Sequence, residues 1–488
     1  MVGSLAGFQA MVPLLVITAA ALVVLVVEMF GERRSHTGIA WLSIAGLAIF
    51  AGSACRAYHA QNTPDVYAGA IALDAFAVYV AVLVSVVAII TVLMAIDHMP
   101  TTSARGGECY PLLLFSVVGI AVMAAATDLI VMFLGLETMS MAVYVLAGIS
   151  KGERRSNEAA LKYFVMGAFA SAFMLYGIAM VYAGSGSTSL AAIAHGLAGD
   201  GSSTLVMLGV ALLVVGFGFK VSAVPFHLWT PDVYEGAPTS VTVFMATAVK
   251  LGGFAAALRV LSVAMAPVMT QLQPLLWVVA ALTMTVGNVV ALRQSSLKRM
   301  LAYSSIAHSG YLLVGLTAGG EGAASAVLFY LAAYAVMNLG AFGIMMMLGA
   351  NGKRGEDISD LAGLAASRPL LAAAMTICML SLTGIPPFSG FIGKFYLFAA
   401  ALEAGQVVLV VIAVLNSVVS AAYYLGVIRT MYFEEGRQFE PLPRRRHLAA
   451  ATALAVVATV ALGLAPGRVL DAAVGALDNI VLEAPVSR

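Results

Sequence analysis

The chain is poor in charge. Of its 488 residues only 10% are Asp, Glu, Lys or Arg, while 61% are hydrophobic, and the mean hydropathy is +0.99. A soluble protein carries about 25% charged residues, so a globular domain with a single anchor is excluded and a polytopic membrane protein is indicated. Cysteine is scarce too. Cys55, Cys109 and Cys378 form no CxxC pair and have no His/Cys spacing suited to a metal or an iron–sulfur cluster, and they read as inert apolar fillers. No Gly-x-Gly-x-x-Gly follows a strand-like run, so a nucleotide site has no signature here. Long polar stretches are absent as well, and no extramembrane domain of any size is expected.

What fills the chain is a series of apolar runs. About 20 apolar residues cross a membrane, and on that rule the runs number fourteen: 10–30, 37–58, 71–95, 110–126, 128–149, 159–183, 203–234, 238–260, 272–293, 299–317, 323–348, 370–400, 405–430 and 447–465. The first is too long for a signal-peptide core and lacks a cleavage pattern, so it is read as the first span. The expected fold is an all-α polytopic membrane protein of about fourteen transmembrane helices. Many of the runs are rich in Ala and Gly, which lets helix backbones approach closely in lipid.

Orientation follows from the basic residues. Loops after odd-numbered spans hold Arg33, Arg34, Arg105, Lys151, Arg154, Arg155, Lys162, Arg293, Lys298, Arg299, Lys353, Arg354, Arg368, Arg429, Arg437 and Arg444 to Arg446. The opposite side holds only Arg56, Arg259, Arg468 and Arg488. Positive charge stays in the cytoplasm, so both termini are expected on the periplasmic side of a bacterial plasma membrane. Lys220, Lys250 and Lys394 are left over, each inside a span. Among the acids Glu137, in LIVMFLGLETMSMAVYVL, sits about two turns into its span, whereas Asp74 and Asp128 fall at span ends.

Two spans are interrupted. Pro225 and Pro231 follow Lys220 in span 7, and Pro386 with Pro387 precede Lys394 in span 12. Interior proline removes a backbone donor and clashes with the preceding turn, and broken backbone at membrane depth survives only where protein or a wet cavity covers it. The breaks lie five spans apart, an odd number, so spans 4–8 and 9–13 have opposite orientation. Paired broken helices in inverted halves point to a transporter site. The expected organisation is an N-terminal three-helix segment (1–100), an input half (110–260), an exit half (270–430) and a last helix with a short tail (440–488).

Lysine carries a compact charge that titrates more readily than a guanidinium, so lysine at depth suits loading and release of a proton. An ion pair of Glu137 with Lys220 that opens and closes would act as a gate. The alternative is that each lysine is a static partner for a carboxylate or a helix C-terminus, which is less economical for three lysines of which two flank helix breaks. Histidine is the other natural relay. His308, in LAYSSIAHSGY, lies near Tyr303, Ser304, Ser305, Ser309 and Tyr311 and suits a polar line. His227, beside Pro225 and Trp229, suits either a relay or the satisfaction of backbone freed by the break. Tyr330, Tyr334 and Asn338 recur at helical spacing on span 11, fitting either the same line or helix packing.

These motifs together resemble the antiporter-like membrane subunits of respiratory complex I, the proton-pumping NADH:quinone oxidoreductase. The residues that carry the resemblance are FLGLE ending at Glu137, Lys220 with PFHLWTPDVYEGAPT, Lys250, RMLAYSSIAHSGY and GIPPFSGFIGKFYLF. Of the three paralogous types, M carries glutamate where Lys394 stands. The L type is longer and usually has histidine at the position of Lys250, and the N type is the most similar. The resemblance implies two inverted five-helix bundles and a gating pair of Glu137 and Lys220. It also implies a central Lys250 assisted by His308, and Lys394 on the exit side. It implies no cofactor in this chain, with FMN, iron–sulfur clusters and quinone in other subunits. The implied partners are M-type and K-type neighbours, with L, A, J and H types beyond them, and membrane lipids; nucleic acid is not implied. A subunit of an Mrp-type Na+/H+ antiporter or of a membrane-bound hydrogenase is the alternative within the same resemblance, and a stand-alone symporter a more distant one.

Overall fold

The computed structural model describes residues 2–30, 36–59, 65–66, 69–99, 107–199, 204–349, 356–436 and 444–477. Arg33, Arg34, Arg105, Lys353, Arg354, Arg437 and Arg488 lie outside them. The helices run α1 (Val2–Phe30), α2 (Thr37–His59), α3 (Ala75–His98), α4 (Cys109–Ala125), α5 (Leu129–Ala147), α6 (Arg154–Ser185) and α7 (Leu190–Gly199). Then come α8 (Thr204–Lys220), α9 (Trp229–Gly236), α10 (Thr239–Phe244), α11 (Lys250–Arg259), α12 (Met269–Ala291), α13 (Leu297–Ala318) and α14 (Gly320–Leu348). The chain closes with α15 (Leu364–Ser367), α16 (Pro369–Thr383), α17 (Ser389–Glu403), α18 (Val407–Phe433), α19 (Arg446–Leu464) and α20 (Gly467–Gly475).

Each expected apolar run coincides with a helix or, for 203–234 and 370–400, with a broken pair: α8 with α9, and α16 with α17. By length and composition alone, 10 of the described helices suffice to cross a membrane. The broken pairs and the 17-residue α4 fall short because each is a short helix, and α13, at 22 residues, falls short through its polar composition. Three elements were not legible in the hydropathy. A two-stranded hairpin pairs Asp65–Val66 with Ile71–Ala72 where span 3 was expected to begin, and α7 and α20 are short extra helices.

Local sequence explains the ends. Asp74 caps α3 by accepting the Ala77 amide at 2.8 Å, and Asp128 caps α5 through Ile130 N at 2.8 Å. Such caps satisfy amides that the helix itself leaves unpaired. Close packing rests on small residues: a Cβ on Gly177 of α6 would stand 2.7 Å from the Gly209 carbonyl of α8, and the reverse holds for Gly209. In lipid, where tails are as apolar as leucine, such close approach drives helix association.

Two helices see no lipid. The apolar windows of Thr239–Ala264, the continuous run that contains α10 and α11, and of Gly320–Leu348 are 100% buried, against 33% to 61% for the other long spans. Most of α13 is buried as well, and α14 packs against α13, α16, α17, α19 and α20. Thr239–Ala264 is also irregular, with π-helical turns at Met245–Val249 and Val260–Ala264 on either side of α11. Such turns occur often at functional sites.

Lys220, Lys250 and Lys394 are not the only buried basic residues: Arg259, Lys298 and Arg445, at the ends of apolar runs or in loops, are buried in the protein too. Arg259 closes α11 and binds the Asp74 carboxylate at 2.7 Å, with the side chains 3% and 6% exposed, and its guanidinium lies 4.8 Å from the centre of the Phe76 ring. The pair fastens α3 to the central helix. Breaking a buried pair by removing one partner costs roughly 3–5 kcal/mol because the other charge stays buried. Asp74→Ala should therefore lower the thermal midpoint of the detergent-extracted protein sharply, and Asp74→Ala combined with Arg259→Leu should recover most of the loss. An equal or larger loss in the double variant would show that the pair does not act through its charge.

Candidate functional site

The first cluster is built at the end of a half-helix. Lys220 is the last residue of α8 and 3% exposed, and its Nζ donates to Ser140 Oγ of α5 at 2.6 Å. The rings of Tyr144 and Tyr163 face the ammonium at 5.3 and 5.6 Å. Tyr163 in turn stacks on Trp229 with ring centroids 4.2 Å apart. Glu137 lies one turn before Ser140 on α5 and accepts a hydrogen bond from Ser171 of α6. The expected Glu137–Lys220 ion pair is not closed: among the described residues no carboxylate stands within 4.0 Å of Lys220, and serine hydroxyls occupy both partners. Spacing is the reason. Residues three apart on a helix share a face, and Ser140 is the nearer of the two to the end of α8.

Broken backbone after Lys220 is satisfied by side chains. Trp229 Nε1 donates to the Phe219 carbonyl at 3.0 Å, and the Val224 amide donates to Thr283 Oγ1 at 3.0 Å. Thr230 and Ser222 share a bond of 2.7 Å. Trp229 and Thr283 thus share the freed backbone with His227, whose ring bonds the Pro225 backbone while its Nδ1 is buried without a partner among the described residues. Pro225 follows a cis peptide bond, as does Pro387 after Pro386.

Lys250 is 1% exposed at the start of α11. Its Nζ donates to the Ser305 carbonyl at 2.6 Å and also bonds the Ser305 hydroxyl on α13. One turn on, His308 Nδ1 meets the Tyr330 hydroxyl at 2.6 Å and Nε2 meets the Tyr424 hydroxyl at 3.1 Å. Tyr424 also bonds Ser304. The Tyr334 ring lies 5.6 Å from the Lys250 ammonium and 5.2 Å from the His308 ring. Tyr303 is half-buried and makes none of these bonds, and the Asn338 amide turns back to the Tyr334 carbonyl at 2.9 Å.

The third lysine sits against the other break. Lys394, 4% exposed, donates to the Leu382 carbonyl at 3.2 Å, the Thr383 carbonyl at 2.9 Å and Ser417 Oγ at 2.9 Å. Those carbonyls close α16, so the ammonium occupies the negative end of a helix dipole. Gly384 ends α16 in the left-handed region at φ 92°, and a Cβ there would stand 3.0 Å from Lys394 Cδ. The Lys394 ammonium also lies 4.5 Å from the centre of the Tyr311 ring. Tyr311 accepts from Asn288 at 3.2 Å, and Asn288 accepts from Tyr423 at 2.9 Å.

The expected residues therefore fall into two groups. Lys250, His308 and Tyr330, with Tyr334 and Lys394 beside them, lie in one polar region spread over α11, α13, α14, α17 and α18. Glu137 and Lys220 form a separate cluster, with no hydrogen bond from Lys220 to Lys250; a Cβ on Gly253 of α11 would stand 3.4 Å from Lys220 Cβ. Sequence reasoning missed Ser140, Ser171, Ser417, Asn288 and Tyr424. Ser140, three residues after Glu137, and the polar positions in NSVVSAAYY on span 13 were the available signals. At one face of the molecule Asp232 binds Lys162 at 2.8 Å and Arg299 at 3.1 Å, and Glu235 binds Arg299 at 2.7 Å, tying α6, α9 and α13 together.

A family model described as NADH:quinone oxidoreductase/Mrp antiporter, TM, matches residues 126–420. NADH-quinone oxidoreductase subunit N of Trichlorobacter lovleyi is 45% identical over 464 residues, covering 94% of each chain. A chain of respiratory complex I from Thermus thermophilus with bound aureothin is 35% identical with a TM-score of 0.79, over 95% of this chain and 99% of that one. A chain of the Mrp complex from Dietzia sp. DQ12-45-1b, 23% identical with a TM-score of 0.85, covers 97% of this chain and 98% of its own and shares the fold. With its middle matched by that model and nearly its whole length by a relative at this identity, the chain belongs to the NADH:quinone oxidoreductase/Mrp antiporter family of membrane proteins, on its subunit N branch.

Proposed function

We propose that this chain is a proton-translocating membrane-arm subunit of an NADH:quinone oxidoreductase, carrying H+ from cytoplasm to periplasm while quinone is reduced in other subunits. One observation carries the reading. Each of three ammonium groups at membrane depth is held by a serine hydroxyl and faces an aromatic ring, Lys250 and Lys394 also bond backbone carbonyls, and none has a carboxylate within 4.0 Å among the described residues. A static charge in hydrocarbon is costly and is normally paired, as Arg259 is with Asp74. Partners that both donate and accept suit groups that change protonation.

In this reading the chain has fourteen spans with both termini periplasmic, and spans 4–8 and 9–13 are inverted halves. Lys220 changes partner between Ser140 and Glu137, so that the open arrangement is one state of a gate. Lys250 passes the proton by way of Ser305 to His308, whose two ring nitrogens bond tyrosines on different helices. Tyr311 and Lys394 continue towards the exit. FMN, iron–sulfur clusters and quinone belong to other subunits, and the neighbours are M-type and K-type chains. The Mrp-type antiporter alternative shares the fold, but the 45% identity is to a subunit N. Co-purification separates the two: flavoprotein and iron–sulfur partners support the proposal, and retention of small hydrophobic antiporter partners alone overturns it.

Lys220→Ala and Lys394→Ala should assemble into the complex and lower proton uptake into inverted vesicles several-fold, together with coupled quinone reductase activity. Full pumping in well-assembled Lys220→Ala would sink the relay. Ser140→Ala removes a hydrogen bond to a charged group, worth roughly 1.5–3 kcal/mol, and should slow coupled turnover by roughly tenfold, with Ser140→Thr restoring it. Wild-type turnover in Ser140→Ala would show that the hydroxyl only fills space.

A further inference from the structure

A groove of about 620 Å³ lies between α2, α3, α14, α19 and α20, away from the lysines. Its wall along α3 runs from Ala75 to Val86, about 16 Å at 1.5 Å per residue, which is half of the roughly 30 Å hydrocarbon thickness. The depth is that of one leaflet. Aliphatic side chains line it, and it opens at Val86, which is 44% exposed.

The mouth is chemically different. Arg468, at the start of α20, and His59, at the end of α2, are both exposed there, and among the described residues no carboxylate lines the groove; Asp471, the other charged residue of α20, is not part of the wall. Arg56 is exposed one turn before His59 on α2. Arg468 makes no ion pair among the described residues. Positive charge is sparse on this side of the sequence, where Arg259 is already consumed by Asp74. An apolar slot one leaflet deep, rimmed by the Arg468 guanidinium and the His59 ring at its shallow end, matches an acyl chain below an anionic headgroup.

We propose that this groove binds an anionic glycerophospholipid, with Arg468 and His59 at the phosphate and an acyl chain along α3. The bound lipid wedges the α2–α3 pair against α14 and α20. The inference does not depend on proton movement.

The test uses the full-length chain in its native membrane assembly, in nanodiscs of phosphatidylcholine doped with photoactivatable phosphatidylglycerol or, in parallel, with equally labelled phosphatidylcholine. One arginine near an anionic headgroup contributes about fivefold in affinity, so the anionic probe should label α3 and α20 peptides about fivefold more than the zwitterionic one. Arg468→Gln, an exposed change, should bring the two to equality, and Ala472→Trp, which fills the groove, should abolish both. Equal labelling by the two probes in the unaltered chain overturns the proposal. So does a helix of a neighbouring subunit crosslinked to these residues in place of lipid.

Discussion

The structure depends on how interrupted backbone is covered at membrane depth. Each break ends a half-helix whose last carbonyls have no partner within the helix, and an open carbonyl in hydrocarbon is expensive. At α16 the solution is Lys394 itself, which donates to the carbonyls of Leu382 and Thr383. At α8 the solution is separate from the lysine: Trp229 takes the Phe219 carbonyl, and Lys220 is left to reach across to Ser140. One cation is bound into the break and the other is released from it. The two halves therefore share a device without sharing its wiring.

The central helices extend the same constraint. Thr239–Ala264 and Gly320–Leu348 are enclosed on all sides, so their polar groups must find partners inside the protein. Lys250 meets this by sharing the Ser305 carbonyl with Ser309, whose hydroxyl donates to it at 3.1 Å. His308 meets it with a tyrosine on each nitrogen. Because α13 presents Ser304, Ser305, His308 and Tyr311 to α11, α14, α17 and α18, it is the element through which these groups communicate. The Lys220 cluster faces α5 and α6 instead. Packing against Gly253, and not a hydrogen bond, brings it to the central helix.

Much of this was legible in one dimension. Run length located the helices, proline located both breaks, and the three lysines stood out because no loop accounted for them. Partners were not legible. Arg259 closes an apolar run, where composition reads it as a loop residue, and its carboxylate lies 185 positions earlier. Lys298 sits at a helix start beside Arg299, yet donates to the Ala237 carbonyl at 2.6 Å from a fully packed position. Periodicity describes which residues share a face of one helix and is silent on which helix that face meets. For the same reason Glu137 and Lys220 were paired by charge, while the hydroxyl that separates them passed unnoticed.

The contrast between Arg259 and the lysines carries the functional argument further than any one of them. Both are buried cations in the same protein, solved differently. Arg259 has a carboxylate at 2.7 Å and an aromatic face, which makes a fixed ion pair. Lys220, Lys250 and Lys394 each have a serine hydroxyl, which can accept or donate, and Lys250 and Lys394 have backbone carbonyls as well. A chain that needed only to neutralise three buried charges had the Asp74–Arg259 solution available within its own fold. The proposed relay depends on these sites keeping both states accessible, because passing a proton from one site to the next requires it.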